Sequence, residues 1–146
     1  MAEKIQFLGR SRIISGNLRK EIRQTLTQLC DNHCFILGSL CYIHMNDDEL
    51  LQINQEHLNH DTYTDIITFD LSDQEGVIDG EIYLSLERIK ENAHVFGGDF
   101  FTEYVRVVSH GLLHLLGYAD KSESETRTMR NKEQEAIDIW SGLRST

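Results

Sequence analysis

The chain has 146 residues, of which 40% are hydrophobic and 26% charged, a balance typical of one soluble globular domain and not of a disordered segment. Its apolar runs are too short to span a bilayer, and its first residues lack the basic start and apolar stretch of a signal peptide, so we expect a cytoplasmic protein. The formal net charge of −10 argues against a general nucleic-acid binder, although it does not exclude a local basic face.

The first half of the chain predicts a strand, a helix, a longer strand and a second helix. Lys4 to Leu8 is a short candidate strand. Apolar residues then recur at helical spacing, with Asn17 as the expected N-cap, at Leu18, Ile22, Leu26 and Leu29. Residues 35–45 are rich in β-branched, aromatic and apolar residues, which predicts a strand. Asn46 and Glu49 form a capping-box pattern, so a helix should begin there.

Two groups of side chains in this half have ordinary interpretations. The three cysteines are odd in number and contain no Cys-x-x-Cys pair, so we expect buried, reduced thiols at Cys30, Cys34 and Cys41. The densest basic stretch could form a binding face, but the solvated face of a helix is the favoured interpretation of Arg10, Arg12, Arg19, Lys20 and Arg23.

The second half predicts a β-hairpin followed by three helices. Residues 65–71 form a candidate buried strand, residues 72–76 a turn and residues 77–84 the next strand. Ser85 should cap a helix running toward Gly97, and a further helix should cover residues 101–116 and end at Gly117. Ser122 with Glu125 should open a polar helix that ends near residue 140. We therefore expect a single α+β domain over residues 1–146, with a mixed sheet packed against helices and no doubly wound parallel sheet.

The pattern that carries chemistry is a pair of histidines with a nearby acidic residue. His110 and His114 are four residues apart on a predicted helix, so their imidazoles share one face and can bind one ion. The helix should stop at Gly117, and a tight turn there would let Asp120 approach the same point. Two imidazoles and one carboxylate leave a coordination position open for water, which is typical of a catalytic zinc site. The alternative, a chance pair of histidines, is less favoured because imidazoles in so apolar a helix need partners.

The residue after the first histidine limits the mechanism. Zinc metalloproteases with the H-E-x-x-H motif place a glutamate there as general base, whereas this chain has Gly111. A glycine leaves room beside the metal but cannot take a proton. Peptide hydrolysis of the zincin type is therefore disfavoured.

These motifs resemble those of the YbeY family of bacterial metal-dependent endoribonucleases. Residues 110–120 match the family signature H-G-x-L-H-L-x-G-Y-D-H at every specified place except the last two. Upstream, the chain is similar to the family's N-x-x-Y-R-x-x-D-x-x-T-D-V-L-S-F and G-E-I-x-I-S stretches, at Asn54, Asp61, residues 64–69 and residues 80–85. Glu103 lies where the family often has an acidic residue, and Met129 and Glu133 fit its last helix.

The resemblance implies a compact α+β fold related to the zincins and one zinc-like ion. It also implies a single-stranded RNA substrate and a role in ribosomal RNA maturation and ribosome quality control, with RNA and the ribosome as partners. In two places the chain departs from the family. The usual third histidine is Asp120, preceded by Ala119, and the usual arginine after an aromatic residue is Leu58, preceded by His57. A carboxylate ligand should make the ion a weaker Lewis acid and widen tolerance toward manganese.

The sequence leaves the general base unassigned. Asp65 is a candidate, and a carboxylate that caps or terminates a turn is an equal alternative. His57 and His60 could line the groove, but an ordinary surface or core role is favoured for them and for His33, His44 and His94. Three functions therefore stand: an endoribonuclease acting on ribosomal RNA, a metal-dependent hydrolase of another substrate, and a non-catalytic ribosome-assembly factor with a metal site.

Overall fold

The computed structural model describes residues 4–9, 12–58 and 64–144, apart from the side chains of residues 57 and 58. Arg10, His60 and Asp61, and the side chains of His57 and Leu58, lie outside the described residues. The elements follow in the order β1 (Ile5–Leu8), α1 (Gly16–Asn32), β2 (Ile36–Met45), α2 (Asp47–Leu58), β3 (Ile66–Asp70), β4 (Val77–Ser85), α3 (Leu86–Phe96), α4 (Phe100–Leu115) and α5 (Glu123–Arg144).

The four strands form one mixed sheet in the order β1-β2-β4-β3. β1 pairs with β2 and β2 with β4 in parallel, whereas β3 pairs with β4 in antiparallel register, with Thr68 opposite Ile82. The predicted hairpin and mixed α+β class are therefore confirmed. β3 is an edge strand in which only Ile67 is buried, so the expectation of a fully buried strand is wrong there. An edge strand has one neighbour only, which leaves one side of β3 free to border a cleft.

The predicted capping boxes set the starts of two helices. At α2, the Asn46 amide donates to Glu49 Oε1 at 3.0 Å and the Glu49 amide donates to Asn46 Oδ1 at 2.8 Å. At α5, the Ser122 amide donates to Glu125 Oε1 at 2.9 Å and the Glu125 amide donates to Ser122 Oγ at 3.1 Å. Each box satisfies two amides that a helix start otherwise leaves without partners, which fixes where the chain enters the helix.

Two predicted helix boundaries are wrong. The N-cap of α1 is Ser15 and not Asn17, because Ser15 Oγ accepts a hydrogen bond from the Leu18 amide at 3.2 Å. Helix α5 continues past Trp140 to Arg144. At the start of α1, Ser15 and Asn17 have similar capping propensity, so only the backbone geometry decides between them. At the end of α5 the error is a shift of a few residues, and element ends are the part of a helix that a sequence pattern specifies least well.

The predictions for the N-terminal basic and cysteine side chains hold only in part. Arg19 Nη1 donates to the Ile14 carbonyl at 2.7 Å, and Arg23 Nε donates to the Ile5 carbonyl at 3.0 Å, so these two arginines are half-buried, whereas Arg12 and Lys20 are exposed as predicted. Cys30 is buried, and burial raises the pKa of its thiol to about 11. Cys34 is exposed, which corrects the expectation that all three thiols are buried.

Helix α4 lies at the centre of the core. It packs against α5, α3 and the strands β3 and β4. Val108, Leu112 and Leu113 are fully buried, and the Tyr42 hydroxyl donates to the Val108 carbonyl at 2.8 Å. A helix held by packing on several sides has a well-defined position, so the side chains on its one accessible face are held in place as well.

Candidate metal centre

The two histidines and the aspartate predicted from the sequence converge at the C-terminal end of α4. Gly117 has a φ of 109°, a conformation that favours glycine, and the Tyr118 amide donates to the Leu113 carbonyl at 3.0 Å. This turn brings Asp120 back over the helix end. His110 Nε2 lies 2.9 Å from His114 Nε2, and Asp120 Oδ2 lies 3.3 Å and 3.5 Å from those two nitrogens.

These separations suit one small cation. The ligand atoms of a tetrahedral zinc ion, at bond lengths of about 2.0–2.1 Å, lie about 3.3–3.4 Å from one another. The three side chains are 19%, 30% and 39% exposed for His110, His114 and Asp120, so solvent reaches the cluster. A cation bound by three groups on one side would keep a coordination position on the open side.

Hydrogen bonds orient both imidazoles with Nε2 toward this common point. His114 Nδ1 lies 2.9 Å from the Tyr118 carbonyl, which can only accept, so the proton is on Nδ1. His110 Nδ1 lies 2.7 Å from Glu133 Oε2, and the carboxylate fixes the proton on Nδ1 in the same way. In the neutral rings both Nε2 lone pairs therefore face each other and the Asp120 carboxylate. Three electron-rich atoms this close favour a positive charge between them, and a divalent cation would supply it.

Glu133 is the functional residue whose role the sequence did not reveal. It is 2% exposed, and its second carboxylate oxygen, Oε1, lies 3.0 Å from Arg130 Nη1 and 3.5 Å from Arg106 Nη1. A signal was present, because Glu133 interrupts the buried apolar face of α5, which otherwise carries Met129, Ala136, Ile137 and Trp140. A buried carboxylate on such a face needs a cationic or hydrogen-bonding partner. The helix predicted to carry His110 and His114 was the nearest element along the chain that could supply one.

The charges around the cluster act on its titratable groups. Burial lowers the pKa of His110, but the hydrogen bond and charge of Glu133, with the charges of Asp120 and Asp65, raise it above its usual value. Burial raises the pKa of the Asp65 carboxyl, and the His110 charge offsets this only in part. Asp65 Oδ2 also accepts a hydrogen bond from Asn92 Nδ2 at 3.3 Å. The candidate base is thus a partly buried carboxyl in the same cleft as the histidines.

A cleft of about 1110 Å³ surrounds the cluster. Its walls come from β3, the C-terminal part of α3, α4 and α5. Among the described residues, the cationic side chains that line it are Arg106, Lys121 and Arg130. Glu103 also lines it and pairs with Arg106 at 3.3 Å, and burial raises the pKa of the Glu103 carboxyl. The cleft therefore combines a metal-ligand set with positive groups beside it.

Gly111 has a different role from the one predicted. A Cβ at this position would lie 2.8 Å from Ile82 Cδ1 and 3.0 Å from Ile66 Cδ1. The space beside Gly111 is therefore filled by the sheet, and the glycine serves the close approach of α4 to it. The expectation that this glycine leaves room beside the metal is wrong, because even a Cβ at this position would require the side chain of Ile82 or Ile66 to shift.

The other described histidines satisfy ordinary roles. His33 Nδ1 lies 2.8 Å from the Leu29 carbonyl, and its Nε2 lies 2.9 Å from the Tyr118 hydroxyl. His44 Nε2 lies 2.6 Å from the Tyr104 hydroxyl, and burial, reinforced by the Arg19 charge, lowers the pKa of His44 to about 4. His94 is exposed.

The fold and the cluster define an α+β protein with a candidate metal site, open to solvent, that consists of two histidines and one carboxylate. A family model described as Endoribonuclease YbeY matches residues 5–141, and the chain belongs to this family. A protein of Cytophaga hutchinsonii named Endoribonuclease YbeY is 43% identical over 83% of this chain and 85% of its own length. One of the same name from Flavobacterium psychrophilum is 48% identical over 70% of this chain and 73% of its own length.

A solved structure shows the same fold. The solution structure of TM1509 from Thermotoga maritima superposes with a TM-score of 0.69 at 28% sequence identity, covering 97% of this chain and 92% of that protein. Within the part of the chain that the structure describes, there is no helix of the length and apolar character that crossing a membrane requires.

Proposed function

We propose that this protein is a zinc-dependent endoribonuclease that cleaves single-stranded RNA in the cytoplasm, in the maturation and quality control of ribosomal RNA. The observation that carries the proposal is the convergence of His110, His114 and Asp120 in a solvent-accessible cleft of a YbeY-family domain. In this assignment the three side chains bind the ion through His110 Nε2, His114 Nε2 and Asp120 Oδ2.

The protein's own groups prepare the site before substrate binds. A bound divalent ion would polarise a phosphoryl oxygen or a water molecule at the open position. Glu133 and the Tyr118 carbonyl hold the two imidazoles by their Nδ1 protons, so little reorganisation is needed when the ion enters. Asp65, with a raised pKa and a place in the same cleft, is the candidate to exchange a proton with the attacking or leaving oxygen.

The cations of the cleft support an RNA substrate in a chain of net charge −10. RNA is bound mainly through phosphates, which require local positive charge and not a positive whole protein. Arg106, Lys121 and Arg130 supply three such groups beside the metal ligands. The family's usual arginine, replaced here by Leu58, is a natural candidate for binding a phosphate of the substrate, and in our proposal these three side chains bind it instead.

The ligand types support zinc as the native ion. Imidazole nitrogens favour zinc among the common ions, whereas the carboxylate of Asp120 adds affinity for harder ions such as manganese. We propose zinc as the native ion, with activity retained in manganese. Replacement of Asp120 by histidine, the family's usual residue, should narrow the preference toward zinc. Elemental analysis of the purified protein identifies the native ion, and activity after reconstitution with zinc or manganese measures the preference.

The decisive experiment is cleavage of ribosomal RNA by the purified protein. Cleavage should disappear on chelation, return with zinc, and disappear in His114→Ala. His94→Ala removes an exposed histidine away from the cluster and should cleave as the parent does. An inactive parent protein that contains stoichiometric zinc and hydrolyses a different ester would favour a hydrolase of another substrate. A parent that unfolds without metal and hydrolyses nothing would favour a non-catalytic assembly factor.

A further inference from the structure

We propose that Phe96 is a stacking platform for one nucleobase of the bound strand, at the rim of the cleft that holds the metal ligands. The inference rests on the proposed RNA substrate and adds a residue that decides how the strand lies across the site. Two independent observations carry it. Phe96 is 73% exposed, and it is one of the residues that line this cleft.

The position of Phe96 relative to the metal centre follows from helix α3. Asn92 and Phe96 are four residues apart, so they lie on one face of the helix about one turn, or roughly 6 Å, from each other. Both line the cleft. Asn92 donates to Asp65, whose charge acts on the metal-ligand candidate His110. Phe96 therefore lies about one helical turn from a residue that is already connected to the centre.

The core does not explain an aromatic side chain here. Phe100, on the next helix, packs against the core with its ring stacked on Tyr104 at 6.0 Å, as an aromatic residue at a structural position does. Phe96 instead leaves most of its ring in water, where an apolar group of this size is unfavourable without a partner. A ring exposed within a cleft is a surface on which a flat apolar ligand can lie.

The backbone below Phe96 is well held, which a platform requires. Phe96 is the last residue of α3, and Gly97 follows with a φ of 73°. The Gly98 amide donates to the Ala93 carbonyl at 3.0 Å and the Gly97 amide donates to the His94 carbonyl at 3.3 Å. These bonds satisfy the end of the helix and fix the point from which the ring projects.

The chemistry of the cleft selects the ligand. Proteins that bind single-stranded nucleic acid combine cationic groups for the phosphates with aromatic rings on which bases stack. Arg106 and Arg130 provide the cations, and Phe96 provides the ring on another helix. Bases in a duplex are stacked on one another and do not offer a free face. The arrangement therefore requires unpaired bases, and it accepts any base because each has a π-face.

The test measures binding separately from cleavage. The full zinc-loaded chain is titrated against a fluorescent single-stranded RNA decamer whose phosphorothioate linkages resist cleavage, and binding is followed by anisotropy. Phe96→Ala should weaken binding by about 5- to 150-fold, the range for loss of one stacked base, and Phe96→Trp should retain it. The matched control is Val95→Ala, which removes an adjacent side chain that is 68% exposed and is not among the described residues lining the cleft.

Base-free nucleotides identify the partner of the ring. Decamers that each lack one base are compared with the intact decamer, for the parent and for Phe96→Ala. In the parent, one position should lose affinity when its base is removed, and in Phe96→Ala the same removal should have no further effect. Since Phe96 is exposed, thermal unfolding of the variant should match that of the parent.

Three results would overturn the inference. The first is Phe96→Leu binding as tightly as the parent, which would mean that no aromatic face is used. The second is a base-removal effect that persists unchanged in Phe96→Ala. The third is an equal loss in Val95→Ala, which would indicate an apolar protein-docking patch instead. Cleavage by the zinc-loaded parent, assayed in parallel, separates these results from failure of the proposed function, since that failure would show as no cleavage by the parent, whatever the Phe96 variants do to binding.

Discussion

Replacement of Glu133 should weaken the metal site without removing a single metal ligand. Glu133 Oε2 accepts the Nδ1 proton of His110 at 2.7 Å, and its carboxylate is buried. Glu133→Ala removes the acceptor that orients the imidazole and the negative charge that makes its Nε2 a better donor to a cation. Glu133→Gln keeps the shape and one neutral acceptor but removes the charge, so it separates the two contributions.

The size of the effect follows from the kind of contact that is lost. Outer partners of metal-bound histidines contribute about 10- to 100-fold to metal affinity, which corresponds to about 1.4–2.7 kcal/mol. A hydrogen bond between a buried carboxylate and an imidazole is of this size, about 1.5–3 kcal/mol. We expect about 10- to 100-fold weaker zinc binding in Glu133→Ala, and a loss of less than about 10-fold in Glu133→Gln.

The assay is competition for zinc against a chromophoric chelator, with circular dichroism and thermal unfolding as checks on the fold. Glu135→Gln is the matched control, because Glu135 lies on the same helix and pairs with Lys132 at 3.3 Å, away from the imidazoles. It should bind zinc as the parent does. Folded Glu133→Ala protein with parental zinc affinity would refute the argument that this carboxylate tunes His110.

Three further changes test other parts of the structure. Gly111→Ala should lower the melting temperature, because the added methyl group overpacks against Ile82 at a cost of about 1–3 kcal/mol. This cost exceeds the about 0.5–1 kcal/mol by which alanine stabilises a helix relative to glycine. An unchanged melting temperature would contradict the packing role of Gly111. Arg130→Ala should weaken RNA binding equally for all sequences, because a phosphate contact is independent of the base. It should also reduce the slope of log affinity against log salt concentration by about 0.7. Losses that depend on sequence in a titration series would indicate base contacts instead. His44 has a pKa of about 4 in the folded protein and about 6.5 in the unfolded chain, so it stays neutral in the fold. The free energy of unfolding should therefore fall by up to about 3 kcal/mol as the pH drops from about 6.5 to about 4. Urea unfolding of His44→Gln should show a shallower decline with pH, and a decline equal to that of the parent would refute this role of His44.

The parts of the fold that are encoded locally could be predicted from the sequence. The capping boxes at Asn46 and Ser122 are read from residues three apart, and both form as predicted. The i, i+4 spacing of His110 and His114 is likewise a property of one helix, and the turn at Gly117 needs only the left-handed conformation that glycine favours. Local geometry alone thus predicted that the three candidate ligands lie together.

What could not be predicted depends on contacts between distant segments. The parallel pairing of β2 with β1 and β4 leaves no local signature, so the strand order and the edge position of β3 were not accessible. Gly111 was misinterpreted because the side chains that fill its space, Ile66 and Ile82, come from the sheet. Glu133 meets His110 across 23 residues of chain. Its polar character on an apolar helix face indicated a partner but not which one.

Tyr118 connects the turn at Gly117, which precedes Asp120, to the N-terminal helix of the domain. Its carbonyl accepts from His114 Nδ1 at 2.9 Å, and its hydroxyl lies 2.9 Å from His33 Nε2, near the end of α1. A synthetic peptide spanning only residues 105–125 would contain all three proposed ligands but neither His33 nor Glu133. The arrangement of these three side chains therefore depends on the assembled tertiary structure, and we expect a peptide cut from the motif to bind an ion poorly.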